Sequence, residues 1–100
     1  MFNGIVYNKG FIKSFIKKKN SLIIEIITDL TFTKKDIGTS INCNGVCLTL
    51  TKIKKKSLFF YISPETLKKT NYKNIKINDH IKLEKSLYYG QNISGHYTQG

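Results

Sequence analysis

The chain has no arginine, no alanine and no tryptophan, and its single proline is Pro64. Six acidic residues face 17 basic ones, all of them lysine. Each scarcity excludes something. No run approaches the roughly 18 consecutive apolar residues of a spanning helix, so no membrane segment is expected. The first residues lack the basic, then apolar, then small order of a secretory signal, which points to the cytoplasm. The two cysteines, Cys43 and Cys47, are spaced C-x3-C and fall short of a four-ligand zinc site. His80 and His96 are distant from them in sequence, so no metal is expected. The lack of arginine also weighs against nucleic acid, despite a net charge of +11. A guanidinium fork suits phosphates and guanine edges in a way that lysine does not. Abundant Ile, Lys and Asn without Ala or Arg is what an AT-rich coding sequence produces. The lysine runs at 17–19 and 54–56 fall where turns are expected, so they read as a solvated rim. One hundred residues can bury one small core but not two.

What is present is mostly β signal. Residues 4–17 mix Ile, Val, Tyr and Phe around Gly10 and predict one long strand bent at the glycine. Ser21–Thr28 (SLIIEIIT) predicts a strand that is mostly buried. Thr33 before Lys34-Lys35-Asp36 predicts a short helical turn, ended by Gly38. Asn44-Gly45 between apolar runs is a strong hairpin signal, pairing 39–43 with 46–53. In that hairpin Cys43 lies opposite Val46, and Cys47 points to the other face, so the thiols do not form a disulfide. Ser57–Ile62 predicts a strand. Ser63-Pro64-Glu65-Thr66 predicts a helix start, with Ser63 as cap and Pro64 in the first position, ending near Thr70-Asn71. Residues 80–86 alternate as a half-exposed strand, and a loop follows from Gly90. Six strands with one or two helical turns suggest a closed antiparallel barrel or a sandwich.

Three places could carry chemistry. After the Asn44-Gly45 turn, Cys47, Thr49 and Thr51 share one strand face, opposite Val46, Leu48 and Leu50. Such a row can hydrogen-bond a polyhydroxy chain or a heteroaromatic edge, and it can equally be an ordinary solvated strand. The helix start at Pro64–Thr66 offers main-chain N–H groups at a positive dipole end, or is simply a cap. His96 is a general acid or base for a nearby pocket, or a solvated loop histidine.

In this order the segments resemble the amino-terminal lumazine-binding repeat of the riboflavin synthase family. The likeness is carried by MFNGIV at 1–6, Gly38-Thr39-Ser40, NGVCLTLT at 44–51, SPETLKKTN at 63–71 and Ser94-Gly95-His96. It implies an all-β fold, a six-stranded antiparallel Greek-key barrel with one or two short helices over residues 1–97. Residues 98–100 would begin the connection to a second, similar barrel that this sequence does not contain. The implied activity is that of an enzyme. Two 6,7-dimethyl-8-ribityllumazine molecules dismutate to riboflavin and 5-amino-6-ribitylamino-uracil by transfer of a four-carbon unit, without metal or cofactor. The full-length family enzyme is a homotrimer whose active site lies between the first barrel of one subunit and the second barrel of a neighbour. A homodimer of the isolated barrel and association with lumazine synthase belong to the same set of expectations.

Residue by residue, the resemblance gives Gly4, Ile5 and Val6 main-chain contacts to the ring. It gives Cys47, Leu48 and Thr49 the pocket lining, and Ser40 with Cys47 the ribityl chain. Tyr61, Ile62, Ser63, Pro64, Glu65 and Thr66 hold the pteridine, with Thr66 as a direct hydrogen-bond partner. Phe2, Ser40, Cys47 and His96 match positions tied to catalysis. Asn78 stands where the family commonly has glycine, and asparagine tolerates positive φ. Lys82 replaces a polar asparagine, so no ligand contact is carried over to it. The alternative reading is a non-catalytic lumazine- or riboflavin-binding module; a nucleic-acid-binding barrel ranks behind both.

Overall fold

The computed structural model describes the main chain of residues 2–88 and the side chains of residues 9–85. Six strands form: β1 (Phe2–Lys18), β2 (Ser21–Thr28), β3 (Ser40–Cys43), β4 (Val46–Lys54), β5 (Ser57–Ile62) and β6 (His80–Tyr88). One helix, α1 (Pro64–Lys69), and two 3-10 turns, Lys34–Asp36 and Tyr72–Asn74, sit in the connections. The strands close in the order β1-β2-β5-β4-β3-β6, and every pairing is antiparallel. β3, β4 and β5 follow one another as neighbours, and β6 returns through α1 to lie beside β3. That is a Greek key, so the barrel, not the sandwich, is the fold. No helix among the described residues is long and apolar enough to cross a membrane.

Closure depends on β1. Its first part pairs with β6, from Phe2↔Tyr88 to Phe11↔His80. Its second part pairs with β2, from Gly10↔Thr28 to Lys18↔Ser21. Gly10 and Phe11 belong to both ladders, so the strand turns the barrel corner there, where the sequence predicts a bend. A Cβ on Gly10 would lie 2.7 Å from Ile26 Cγ2 and 2.8 Å from the Ile27 carbonyl oxygen. A bulge between Ile12 and Ser14 then shifts the register. It lets Ile12 enter the core at 0% exposure while Phe15, three residues on, packs against the same core.

β2 corrects one expectation. Its apolar run is not mostly buried: Leu22, Ile24, Ile26 and Thr28 face in, and Ile23 and Ile27 are half-exposed. A barrel buries one face of each strand and leaves the other toward its surface, so alternate residues of β2 stay partly exposed. Elsewhere local chemistry behaves as its residues dictate. Asn44 and Gly45 take φ of 54° and 84°, the left-handed pair that a two-residue hairpin requires, and Cys43 lies opposite Val46. Thr33 caps the 34–36 turn in a reciprocal box with Asp36. The Ser63 side chain accepts from Thr66 N at the head of α1. Asn78 takes φ of 77°, so the turn survives without glycine. The 72–74 turn has no sequence signal, and its anchor is tertiary: Tyr72 is 4% exposed and its hydroxyl donates to the Cys43 carbonyl at 2.7 Å.

One carboxylate sits on the outer face but out of water. The Glu25 side chain is 14% exposed. It accepts from Ser14 Oγ at 2.8 Å and lies 3.8 Å from Lys13 Nζ. Hydrogen bonding from Ser57 and Ser14, with Lys13 and Lys54 nearby, outweighs the cost of burial and holds its pKa below the ordinary value of 4.5. A lowered folded pKa contributes stability above the unfolded value and loses it as pH falls through the folded one. Glu25→Gln should therefore lower the urea midpoint at pH 7, and the gap to the parent chain should close as the titration moves below pH 4.5. Gly10→Ala should cost about 1–3 kcal/mol in the same measurement, because the corner has no room for a methyl group.

Candidate functional site

The outer face of β3, β4 and β5 gathers residues far apart in sequence. Register places Ser40 opposite Thr49 and Thr49 opposite Tyr61. These three form a row across three strands, about 10 Å from end to end at ordinary strand spacing. Ser40 and Thr49 are exposed, and Tyr61 is 41% exposed. Cys47, two residues before Thr49, is exposed on the same face and pairs with Asn42. Beyond Tyr61 the row continues to Ile23 on β2. The surface thus offers two hydroxyls, a thiol and a phenol, flanked by apolar groups.

Two predicted contacts fall on the other face. Leu48 is 2% exposed and Ile62 is 0% exposed, so both side chains belong to the core and cannot line an outer pocket. Alternation along a strand dictates this, because their neighbours Cys47, Thr49 and Tyr61 face out. The β4–β5 ladder starts at Thr49↔Tyr61. Leu48 and Ile62 lie just beyond that end, where only their main chain can serve a ligand. Thr51, expected to extend the row, is the extra residue of a bulge between Leu50 and Lys52, and its hydroxyl donates to the Phe59 carbonyl at 3.1 Å.

The head of α1 follows directly from Ile62. Ser63 Oγ accepts from Thr66 N at 3.1 Å and donates to Thr66 Oγ1 at 3.1 Å, which leaves the Thr66 hydroxyl proton to point elsewhere. Leu67 N is bonded to the Ser63 carbonyl. Pro64 has no N–H, so Glu65 N–H remains as the first-turn donor not taken up by the cap. The helix start is therefore a narrower donor site than the sequence suggests. Pro64 and Glu65 are exposed, and Ser63 and Thr66 are half-buried.

Gly4, Ile5 and Val6 lie on β1 opposite Leu87, Ser86 and Lys85 of β6. Phe2 also lies on β1, opposite Tyr88; its side chain is outside the described set. His96 lies outside the described residues altogether. Among the described residues no group of three or more His, Cys, Asp or Glu is placed to hold a metal ion. A groove of about 810 Å³ is a separate feature bordered by Asn44, Val46, Tyr72 and His80. None of the expected site residues lines it.

The sequence matches the lumazine binding domain family over residues 3–86. It belongs to that family. This lumazine binding domain is 35% identical, over its whole length, to riboflavin synthase of Buchnera aphidicola subsp. Baizongia pistaciae, covering 48% of that protein. It is 37% identical to riboflavin synthase of Chlamydia pneumoniae, covering 50% of it, and 31% identical to that of Escherichia coli K12, covering 47%. The domain thus spans about half the length of the curated relatives it matches.

The two thiols of the lumazine binding domain are free and differ in setting. Burial pushes the Cys43 thiol up to about 12, which suppresses its thiolate. Cys47 stands exposed in the row. A chromogenic disulfide reagent at pH 8 should titrate one thiol in the native domain and two in denaturant. Cys47→Ser should abolish the native reaction.

Proposed function

We propose that this chain is the amino-terminal half of a riboflavin synthase, with the lumazine-binding barrel over residues 1–97 and the link to a second barrel beginning at 98–100. The reaction is the dismutation of two 6,7-dimethyl-8-ribityllumazine molecules, a four-carbon transfer that yields riboflavin and 5-amino-6-ribitylamino-uracil. What supports the reading is the register of Ser40, Thr49 and Tyr61 on one open face beside Cys47 and the head of α1. Ser40 and Cys47 contact the ribityl hydroxyls. Thr49, Tyr61, the Glu65 N–H and the Thr66 hydroxyl hold the pteridine, together with the main chain of Leu48, Ile62 and Gly4–Val6. The family's transferase chemistry needs no cofactor; His96 supplies an acid or base for its proton transfers, Phe2 packs against the ring as an apolar anchor, and the partner barrel completes the site. The full-length enzyme is a cytoplasmic homotrimer in this reading, with lumazine synthase as an associate.

One observation favours a second reading, a ligand-binding module without turnover. Among the described residues, the row of Ser40, Thr49 and Tyr61 holds no acid or histidine; Glu65 stands apart at the head of α1 and Glu84 lies across Asn42 from Cys47, so the row itself offers binding groups and little proton-transfer machinery. Titrating the chain with 6,7-dimethyl-8-ribityllumazine, followed by ligand fluorescence, and assaying the same sample for riboflavin separates the two. Binding with riboflavin formed supports the enzyme; binding alone supports the module; no binding defeats both. Thr49→Val should weaken binding about fivefold, the worth of one hydrogen bond.

A further inference from the structure

The loop before β3 is fastened from an unexpected side. Lys85 is on β6, on the same face as the buried Ile81 and Leu83, and its side chain is 24% exposed. Its Nζ lies 3.0 Å from Asp36 Oδ2, donates to the Thr31 carbonyl at 3.3 Å, and sits 4.8 Å from the Phe32 ring centroid. Asp36 is itself 19% exposed. The same Oδ2 accepts from Thr33 N at 2.8 Å. Its carbonyl accepts from Thr39 N at 3.0 Å and from the Thr39 hydroxyl. Thr39 in turn accepts from Leu50 N at 3.0 Å, and Gly38 N donates to the Leu50 carbonyl at 2.7 Å. The next residue is Ser40, the first of the outward row.

We propose that Lys85 and Asp36 are a positioning pair that sets Ser40 against the ribityl chain of the ligand. The inference rests on the reading of Ser40 given above. The pair touches no ligand; it acts through Thr39. An ordinary loop tie needs only one bond, whereas this ammonium meets a carboxylate, a carbonyl and a ring at once. A half-buried charge-assisted bond holds its geometry better than a solvated one. The main-chain position of Ser40 is thereby held before a ligand arrives, and a donor on a preset backbone loses less on binding than one on a segment that must be ordered.

The test is a double-mutant cycle on the 100-residue chain, read as the dissociation constant for 6,7-dimethyl-8-ribityllumazine. Asp36→Asn and Lys85→Met should each weaken binding about fivefold in the parent, the order of one hydrogen bond. In a Ser40→Ala background the same changes should cost less than about twofold, because the group they position is gone. Lys85→Arg should recover most of the loss. Equal losses in both backgrounds overturn the proposal and leave the pair as a general stability element. So does failure of both Asp36→Asn and Lys85→Met to fold, judged by urea unfolding. No binding by the parent chain defeats the ligand reading itself and this inference with it, whereas binding with additive losses defeats this inference alone.

Discussion

A single strand must satisfy two neighbours at once, and the rest of this barrel depends on it. β1 hands over from β6 to β2 at Gly10 and Phe11, where both ladders overlap. The corner is possible because Gly10 leaves room for Ile26 and the Ile27 carbonyl. Closing the sheet leaves no open seam between β1 and its two partners, and main-chain polar groups that would otherwise face solvent are paired. It also fixes which way each strand faces. The core of Ile12, Ile24, Leu50, Phe60 and Leu83 is the inner side of that decision, and the row of Ser40, Thr49 and Tyr61 is the outer side.

Local signals were the most legible part of the sequence. Asn44-Gly45, the Ser63 cap with Pro64, and Thr33 with Asp36 each act through bonds within a few residues, so spacing alone identifies them. Gly10 was legible as a bend, though not as the point where partners change. Ile23 and Ile27 misled, because an apolar run looks the same whether one face or both are covered. Tyr72 gave no signal, since its partner is the Cys43 carbonyl on a distant strand. The site was legible by type but not by face. Cys47 and Thr49 were identifiable as one outward stripe, whereas Leu48 and Ile62 came in by family likeness and turn out to fill the core. The Lys85–Asp36 pair was invisible for the same reason as Tyr72: nothing local joins β6 to the loop before β3.

The candidate face is open, with no enclosing wall among the described residues. A surface of hydroxyls, a thiol and a phenol can orient a polar heteroaromatic molecule, but orientation alone lowers a barrier only when a second reactant is held against it. The half-exposed Ile23 and the exposed Ile16 border the row, and apolar groups beside a polar stripe are what a covering surface would bury.

Strand order also sets a timetable. Of the barrel's strands β1 is made before the others, but half of it has no partner until β6 appears. β2 follows β1 directly in sequence, and β3, β4 and β5 all precede β6, so the β6-facing part of β1 has the most distant partner in the barrel. Long-range pairing of this kind is slow, and an unpaired edge invites association between nascent chains. Lys9 lies in the half of β1 that pairs with β6, and Lys13, Lys17 and Lys18 follow in the half that pairs with β2; charge of one sign along a strand resists such association. A lysine surplus that compositional bias can supply thus falls in part on the one strand whose pairing spans the barrel's first and last elements.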